Sequence, residues 1–106
     1  MTHGKVLQAL ADPTRRAVFD ELRARASSVG ELAERLPVTR SAVSQHLKLL
    51  KNAGLVSERR SGTRRIYSVN LQGVVELRHY LDQLWNDALA AFKETADPPR
   101  GKRRGR

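Results

Sequence analysis

The side chains best suited to recognition lie on one face of a short predicted helix between Thr39 and Leu50. Val43, Leu47 and Leu50 recur at spacings of four and three, which predicts that they form its buried stripe. The opposite face then carries Arg40, Ser41, Ser44, Gln45 and Lys48. Arginine can contact guanine at two atoms, glutamine can do the same to adenine, and serine can serve either base. We therefore expect the first four to contact base edges in a major groove and the lysine to contact a phosphate.

His46 stands beside Leu47 and is expected at the boundary between core and surface, hydrogen-bonded or touching a phosphate. No second histidine, cysteine or acidic residue is near it in the sequence to complete a metal or catalytic site. The chain also offers no nucleophile–base pairing and no glycine-rich phosphate loop, so we predict no catalytic residue and no enzyme.

A second, shorter helix is predicted just before this one. Ser28-Val29-Gly30-Glu31 has the form of a capping box, in which a serine is followed by glutamate three residues later. Pro37 ends that helix, and Thr39 caps the next one. Gly54 follows as a left-handed C-cap. Two helices joined by so short a turn indicate a helix-turn-helix, whose second helix enters a major groove.

A basic β-hairpin is predicted directly after the helix-turn-helix. Its strands are Leu55–Arg60 and Arg64–Val69, joined by the loop Ser61-Gly62-Thr63. Four arginines flank the turn, namely Arg59, Arg60, Arg64 and Arg65. A ribbon with arginine at its tip can straddle phosphates or enter a narrow minor groove. Charge on edge strands also resists aggregation, but four arginines against one glutamate favour phosphate contact.

The two ends of the chain are predicted to be helical. The first helix covers about residues 4–11, and a second begins at Asp12-Pro13 and runs to about Arg25. A long last helix, about residues 71–95, is more apolar than a lone surface helix on a small domain needs to be. Its aromatic residues could line a ligand pocket, but packing against a partner is favoured.

Composition agrees with a polyanionic partner. The 106 residues include 20 Lys and Arg against 11 Asp and Glu, a net charge of +9, which favours nucleic acid over a purely solubilising role. There is no cysteine, so disulfides and thiolate metal sites are excluded. No apolar run is long enough to span a membrane, and a cytoplasmic, nucleoid-associated protein is expected. Residues 1–96 form the expected domain, and residues 97–106 a disordered basic tail.

These segments resemble the ArsR-type winged helix-turn-helix repressors, which are bacterial and archaeal homodimers. The resembling residues are 10–16, 31–33, 41–50, 53–56 and the hairpin ending in Ile66-Tyr67. The resemblance implies an α+β, mostly helical fold with the hairpin as a wing on DNA. It also implies a dimer built from the first and last helices. The candidate interface residues are Val6, Leu7, Leu10, Leu77, Leu81, Leu84, Trp85, Ala88 and Phe92.

Many members of that family sense metals, and here the sequence departs from them. The segment from Val29 to Leu36, where a cysteine motif would fall, has no Cys, Asp or His. The last helix offers one histidine among its candidates, which are Glu76, His79, Asp82 and Asp87. Transition-metal sites usually require more imidazole or thiolate, so we predict no metal and no cofactor. The chain resembles more closely the metal-independent branch, which includes autorepressors of small operons.

The sequence therefore predicts a homodimeric, sequence-specific DNA-binding regulator, most simply a repressor on a palindromic operator. Two alternatives stay open: a dimeric protein-interaction scaffold that does not read DNA, and a metal-responsive sensor repressor. The operator, the regulated genes and any effector are not specified by the sequence.

Overall fold

The computed structural model describes residues 3–96, with only the backbone described at Ala96. Within that span, five helices and one antiparallel β-hairpin confirm the predicted α+β, mostly helical winged helix-turn-helix. The predicted tail, residues 97–106, lies outside the described residues. The elements in chain order are α1 His3–Ala11, α2 Pro13–Ala24, α3 Val29–Arg35, α4 Arg40–Asn52, β1 Val56–Ser61, β2 Arg64–Val69 and α5 Leu71–Ala96.

Three helices begin where their capping residues predict. The Asp12 carboxylate accepts a hydrogen bond from the Arg15 amide at 2.8 Å, with Pro13 in the first turn of α2. Ser28 and Glu31 form the complete capping box of α3. The Thr39 hydroxyl accepts from the Ala42 amide at 3.1 Å at the start of α4. Each cap satisfies amides that the helix leaves without a partner, and each contributes about 1 kcal/mol.

The end of α4 explains why β1 begins one residue later than predicted. Gly54 has φ of 83°, and its amide donates to the Lys51 carbonyl at 3.0 Å. The Leu55 amide donates to the Leu50 carbonyl, also at 3.0 Å. This pair of bonds is a Schellman motif, which needs a left-handed residue after the cap. Leu55 therefore belongs to the helix end, and the strand starts at Val56.

The hairpin turns through two residues instead of the three predicted. Ser61 pairs with Arg64 in the antiparallel register, which leaves only Gly62 and Thr63 in the loop. Gly62 has φ of 66°, and Thr63 is not in the left-handed region. Glycine in the first position of a two-residue loop is typical of a type II′ turn, whose twist matches that of the strands.

The core joins helices α1–α4 to the base of the wing. The predicted stripe of α4, Val43, Leu47 and Leu50, is fully buried. Full burial of such a side chain contributes roughly 1.5–3 kcal/mol. Val6 also lies in this core and is only 1% exposed, so its assignment to the dimer interface is corrected. Its helical spacing did not show which face of α1 points into its own chain.

The start of α5 is fixed to the end of α4. Gly73 is buried, and a Cβ at that position would overlap the carbonyl oxygen of Gly54. The Asn70 side-chain amide donates to the same carbonyl at 3.0 Å, and its backbone amide donates to the Leu55 carbonyl at 2.8 Å. Beyond this root α5 leaves the core, and residues 81–95 are all exposed. That exposed part extends for about 22 Å at ~1.5 Å per residue.

Candidate nucleic-acid interface

The outer face of α4 carries the side chains that sequence reasoning assigned to it. Arg40, Ser41, Ser44, Gln45 and Lys48 are all exposed on this helix. Because the buried stripe holds α4 against α2 and α3, this face has a defined orientation. The exposed face of α4 therefore presents guanidinium, hydroxyl, amide and ammonium groups that can form hydrogen bonds with a ligand.

Arg40 is placed differently from its neighbours on α4. Its guanidinium lies against the first turn of α3, so close to Gly30 that a Cβ there would be 2.6 Å from Nη2. In this position the side chain covers the backbone of the preceding helix. The base-edge contact of Arg40 stays a prediction, and in this structure its guanidinium lies beside Gly30.

His46 lies at the boundary between core and surface. Its side chain is half-buried, and its Nδ1 is buried with no hydrogen-bond partner among residues 3–96. It lies near Asp12, whose pKa is lowered mainly by the hydrogen bond from the Arg15 amide and further by charge on Arg15 and His46. His46 thus faces the start of α2 as well as the surface of α4.

The wing arginines differ in their surroundings. Arg59 and Arg60 are exposed and stand opposite Ile66 and Arg65 in the hairpin. Arg64 instead reaches back to α3. Its Nη2 donates to the Ser28 hydroxyl at 3.1 Å and lies 3.2 Å from Glu31 Oε2.

Glu31 therefore serves the helix cap and the wing at once. Its Oε1 accepts from the Ser28 amide at 2.8 Å, and its Oε2 faces Arg64. The amide bond is the main reason that the pKa of Glu31 lies below its usual value, and Arg64 lowers it further. The carboxylate thus stays charged at neutral pH and holds the wing tip near α3.

Glu58 links the wing to α4. Its Oε1 accepts from Lys51 Nζ at 2.9 Å, and its Oε2 lies 3.6 Å from Arg65 Nε. The bond from Lys51 is the main cause of the lowered pKa of Glu58. Glu58 borders a groove together with Ser44, Lys48 and Arg65. The exposed face of α4, which carries Ser44 and Lys48, and the wing therefore form two walls of one concave surface.

A short backbone connection that the sequence does not signal anchors the base of the wing. Ser27 is 1% exposed and pairs with Tyr67 through two backbone hydrogen bonds of 3.0 and 2.8 Å. This bridge gives β2 a second backbone partner besides β1, one residue long. Ser27 had no signal in the sequence, because its partner Tyr67 lies forty positions later.

Comparison with known proteins places this architecture. A helix-turn-helix domain model matches residues 10–59. The HTH-type transcriptional regulator Rv2034 of Mycobacterium tuberculosis is 51% identical over 90 residues, which cover 85% of this chain and 84% of Rv2034. The ArsR-like transcriptional regulator from Rhodococcus sp. RHA1 superposes with a TM-score of 0.76 at 33% identity, covering 89% of this chain and 92% of that one. The chain belongs to the ArsR family of winged helix-turn-helix transcriptional regulators.

The present chain also resembles a structure that is described as a homodimer. The homodimeric winged helix-turn-helix DNA-binding domain of Mb0332 from Mycobacterium bovis has a TM-score of 0.65 at 29% identity. The match covers 81% of this chain and 80% of the Mb0332 domain.

In the present chain, most of the residues predicted to form a dimer interface on α1 and α5 are exposed. Trp85 is 66% exposed and Phe92 67%, and Leu7, Leu81, Leu84 and Ala88 are exposed as well. Leu10 and Leu77 are partly buried against the core of their own chain. Leu71, Val75 and Leu89 add exposed apolar area that was not assigned to the interface. None of the helices between residues 3 and 96 is long and apolar enough to cross a membrane.

The four metal candidates of the ArsR regulator lie along α5. Within residues 3–96, no three His, Cys, Asp or Glu side chains are grouped so that they could hold a metal ion. Glu76 accepts a hydrogen bond from Gln72 at 3.2 Å, and Asp82 lies 3.9 Å from Arg78. His79 and Asp87 lie on the same helix.

Proposed function

We propose that this regulator is a homodimeric repressor that binds an imperfect palindrome through α4 and the wing. The observation that carries the proposal is the shared groove. Ser44 and Lys48 of α4 border the same concavity as Arg65 of the wing, so one surface offers base-reading and phosphate-binding groups. A helix-turn-helix protein uses such a surface to place its second helix in the major groove.

Within that surface the side chains have different roles. Ser41, Ser44 and Gln45 read base edges near the N-terminal end of α4, and Lys48 contacts a phosphate. Arg59 and Arg60 of the wing contact phosphates or an adjacent minor groove. His46 supports α4 at its boundary and touches the backbone of the DNA.

The proposal includes dimerisation through α1 and α5, because a palindromic operator needs two copies of α4. Leu81, Leu84, Trp85 and Phe92 leave a run of large apolar side chains exposed on α5, and a two-fold partner would cover them. Two reader helices related by a dyad then address half-sites about one turn apart, ~34 Å, or farther if the dimer is wide. Repression by occlusion needs no surface beyond the DNA-binding face and the dimer interface. The protein then acts in the cytoplasm, on the nucleoid.

The direct test is binding to the DNA upstream of its own coding region. Purified protein is titrated into that duplex and into a scrambled duplex of equal composition, with fluorescence anisotropy as the readout. The upstream duplex should bind more tightly. If each dimer contacts on the order of 6–10 phosphates, affinity should fall by roughly three to five decades between 50 and 200 mM salt.

Gln45→Ala tests whether α4 reads sequence. The variant should lose roughly 1–3 kcal/mol of preference for the upstream duplex. Gln72→Ala, at an exposed glutamine of α5, is the matched control and should leave the preference intact. Equal binding of the two duplexes, unchanged by Gln45→Ala, would favour the scaffold alternative. A parallel titration with added zinc or nickel ions tests the metal-responsive alternative.

A further inference from the structure

Guanidinium groups from both DNA-facing elements meet at the first turn of α3. Arg40 comes from the start of α4 and lies against Gly30. Arg64 comes from the wing and is held by Ser28 and Glu31. The two arginines are 24 positions apart in the sequence, and neither belongs to α3. The fold therefore brings two forked cations to one place beside the helix-turn-helix.

Gly30 leaves the space that the guanidinium of Arg40 occupies. A Cβ at position 30 would stand 2.6 Å from Nη2 and 3.3 Å from Cζ of Arg40. Both distances are shorter than ordinary carbon–nitrogen or carbon–carbon contacts, so any other residue would push the guanidinium away. Gly30 lies inside α3, where alanine is the better helix former. The glycine is therefore not explained by the stability of α3.

The two arginines line an open cleft of about 340 Å³ between α3, α4 and the wing. Its walls include Ser28, Gly30, Arg40, Ser44, Arg64 and Tyr67. Arg65 lines the same cleft, so three cations face it, and Glu31 is turned towards one of them. Guanidinium forks match the oxygens of a phosphate group and bind it in two places at once. The first helix of a helix-turn-helix crosses the DNA backbone, which brings a phosphate to this side of α3.

We propose that this cleft binds one backbone phosphate of DNA, with Arg40 and Arg64 as its donors and Gly30 as the positioning residue for Arg40. The proposal rests on the DNA binding proposed above, and it moves Arg40 from base reading to backbone binding. The cleft holds the wing and the reader helix on the same phosphate, so it sets the register of both on the duplex.

Arg40→Ala separates the two roles of this side chain. If Arg40 binds a phosphate, its removal weakens binding to the upstream and scrambled duplexes by the same factor, about tenfold for each protomer. The slope of log K against log salt becomes shallower by about 0.9 for each phosphate that the variant no longer neutralises. Arg64→Ala should show the same uniform weakening. If Arg40 instead binds a base edge, its removal reduces the preference between the duplexes and leaves the salt slope unchanged.

Gly30→Ala tests the positioning role without removing any charge. The added methyl should weaken binding to both duplexes alike, in the direction of Arg40→Ala. In the Arg40→Ala background it should have no further effect, because no guanidinium remains to be displaced. Gly4→Ala is the matched control, since a Cβ at that helical glycine meets nothing within 4 Å. Thermal unfolding of every variant shows whether weaker binding comes from loss of fold.

Inorganic phosphate distinguishes a DNA phosphate from a free anion as the occupant. Each titration is repeated in phosphate and in chloride at equal ionic strength. In one outcome, Arg40→Ala does not change the affinity for scrambled DNA in chloride, but it abolishes a weakening of DNA binding that occurs only in phosphate. That outcome overturns the proposal, because the cleft then binds a free anion. It is also overturned if Gly30→Ala and Arg40→Ala have additive effects. If the wild-type protein binds neither duplex, the proposed function itself fails and the cleft has no DNA to bind.

Discussion

The helix-turn-helix with its wing and the distal half of α5 use their apolar residues in opposite ways. In the first region Leu32, Leu47 and Leu50 are completely buried within one chain. In the second, Leu84 is 51% exposed and Trp85 and Phe92 more so. The first region forms a core within one chain, whereas the second leaves its apolar side chains exposed. Local helix patterning therefore specifies an apolar stripe, while the topology of the chain decides whether its own residues cover that stripe.

The largest difference between the two regions should appear when the same substitution is made in each. Leu47→Ala removes a fully buried side chain, and we expect it to lower the free energy of unfolding by about 2–5 kcal/mol. Leu84→Ala removes a side chain that the monomer leaves half in water, so at low protein concentration its cost should stay within about 1 kcal/mol. Urea denaturation at several protein concentrations measures both. Equal costs at every concentration would contradict the comparison.

A charge on α5 should then affect assembly without affecting the fold. Trp85→Asp places a carboxylate on the exposed apolar surface, and burying it in a dimer would be costly without a partner. We expect a monomer with wild-type helix content that no longer binds the upstream duplex tightly. Sedimentation equilibrium and circular dichroism provide the two readouts. Gln83→Asp adds the same charge to the same helix away from the apolar stripe and should remain dimeric.

A smaller effect is expected at the capping box, where the helix-turn-helix meets the wing. Ser28→Ala removes the acceptor for the Glu31 amide and for Arg64. Removal of the cap should cost about 1 kcal/mol of unfolding free energy. The exposed serine of β1, changed in Ser57→Ala, is the control and should cost less than half as much. A neutral Ser28→Ala would mean that the cap is dispensable.

The smallest expected effect is a pH dependence that belongs to the DNA-facing region. The pKa of Glu58 is lowered in the folded state, mainly by the hydrogen bond from Lys51, from an ordinary value of 4.5. A lowered pKa means that this carboxylate stabilises the fold above pH 4.5, and that the contribution is lost as pH falls through the folded-state pKa. Glu58→Gln should therefore flatten the dependence of the unfolding free energy on pH between neutral and acid conditions. Glu34→Gln, at an exposed glutamate of α3, is the control.

Sequence reasoning located the elements because their signals are local. Asp12, Ser28 and Thr39 cap helices through bonds that span three residues, and each was identified from its own neighbourhood. The buried stripe of α4 followed from spacing alone. The start of β1 was predicted one residue too early, at Leu55, because the sequence does not show that the Leu55 amide bonds to the Leu50 carbonyl at the end of α4.

The parts that sequence reasoning missed depend on contacts between distant segments. Arg64 was recognised as a basic wing residue, but its bond to Ser28 spans 36 positions. The Ser27–Tyr67 bridge and the contact of Arg40 with Gly30 have the same character. Val6 was assigned to the dimer interface because periodicity shows that a stripe exists and not what covers it. The roles of individual DNA-facing residues stay predictions until binding is measured.

Gly73 packs directly against the Gly54 carbonyl, so the start of α5 is closely fixed to the end of α4. In the dimer proposed above, the exposed half of α5 would lie at the two-fold axis and α4 would lie in the major groove of the operator. A change of a few degrees in the angle at which two α5 helices cross would alter the distance between the two α4 helices. It would therefore alter the half-site spacing that the dimer can bind. Under that proposal, the angle at which the two α5 helices cross sets the spacing between the two half-sites.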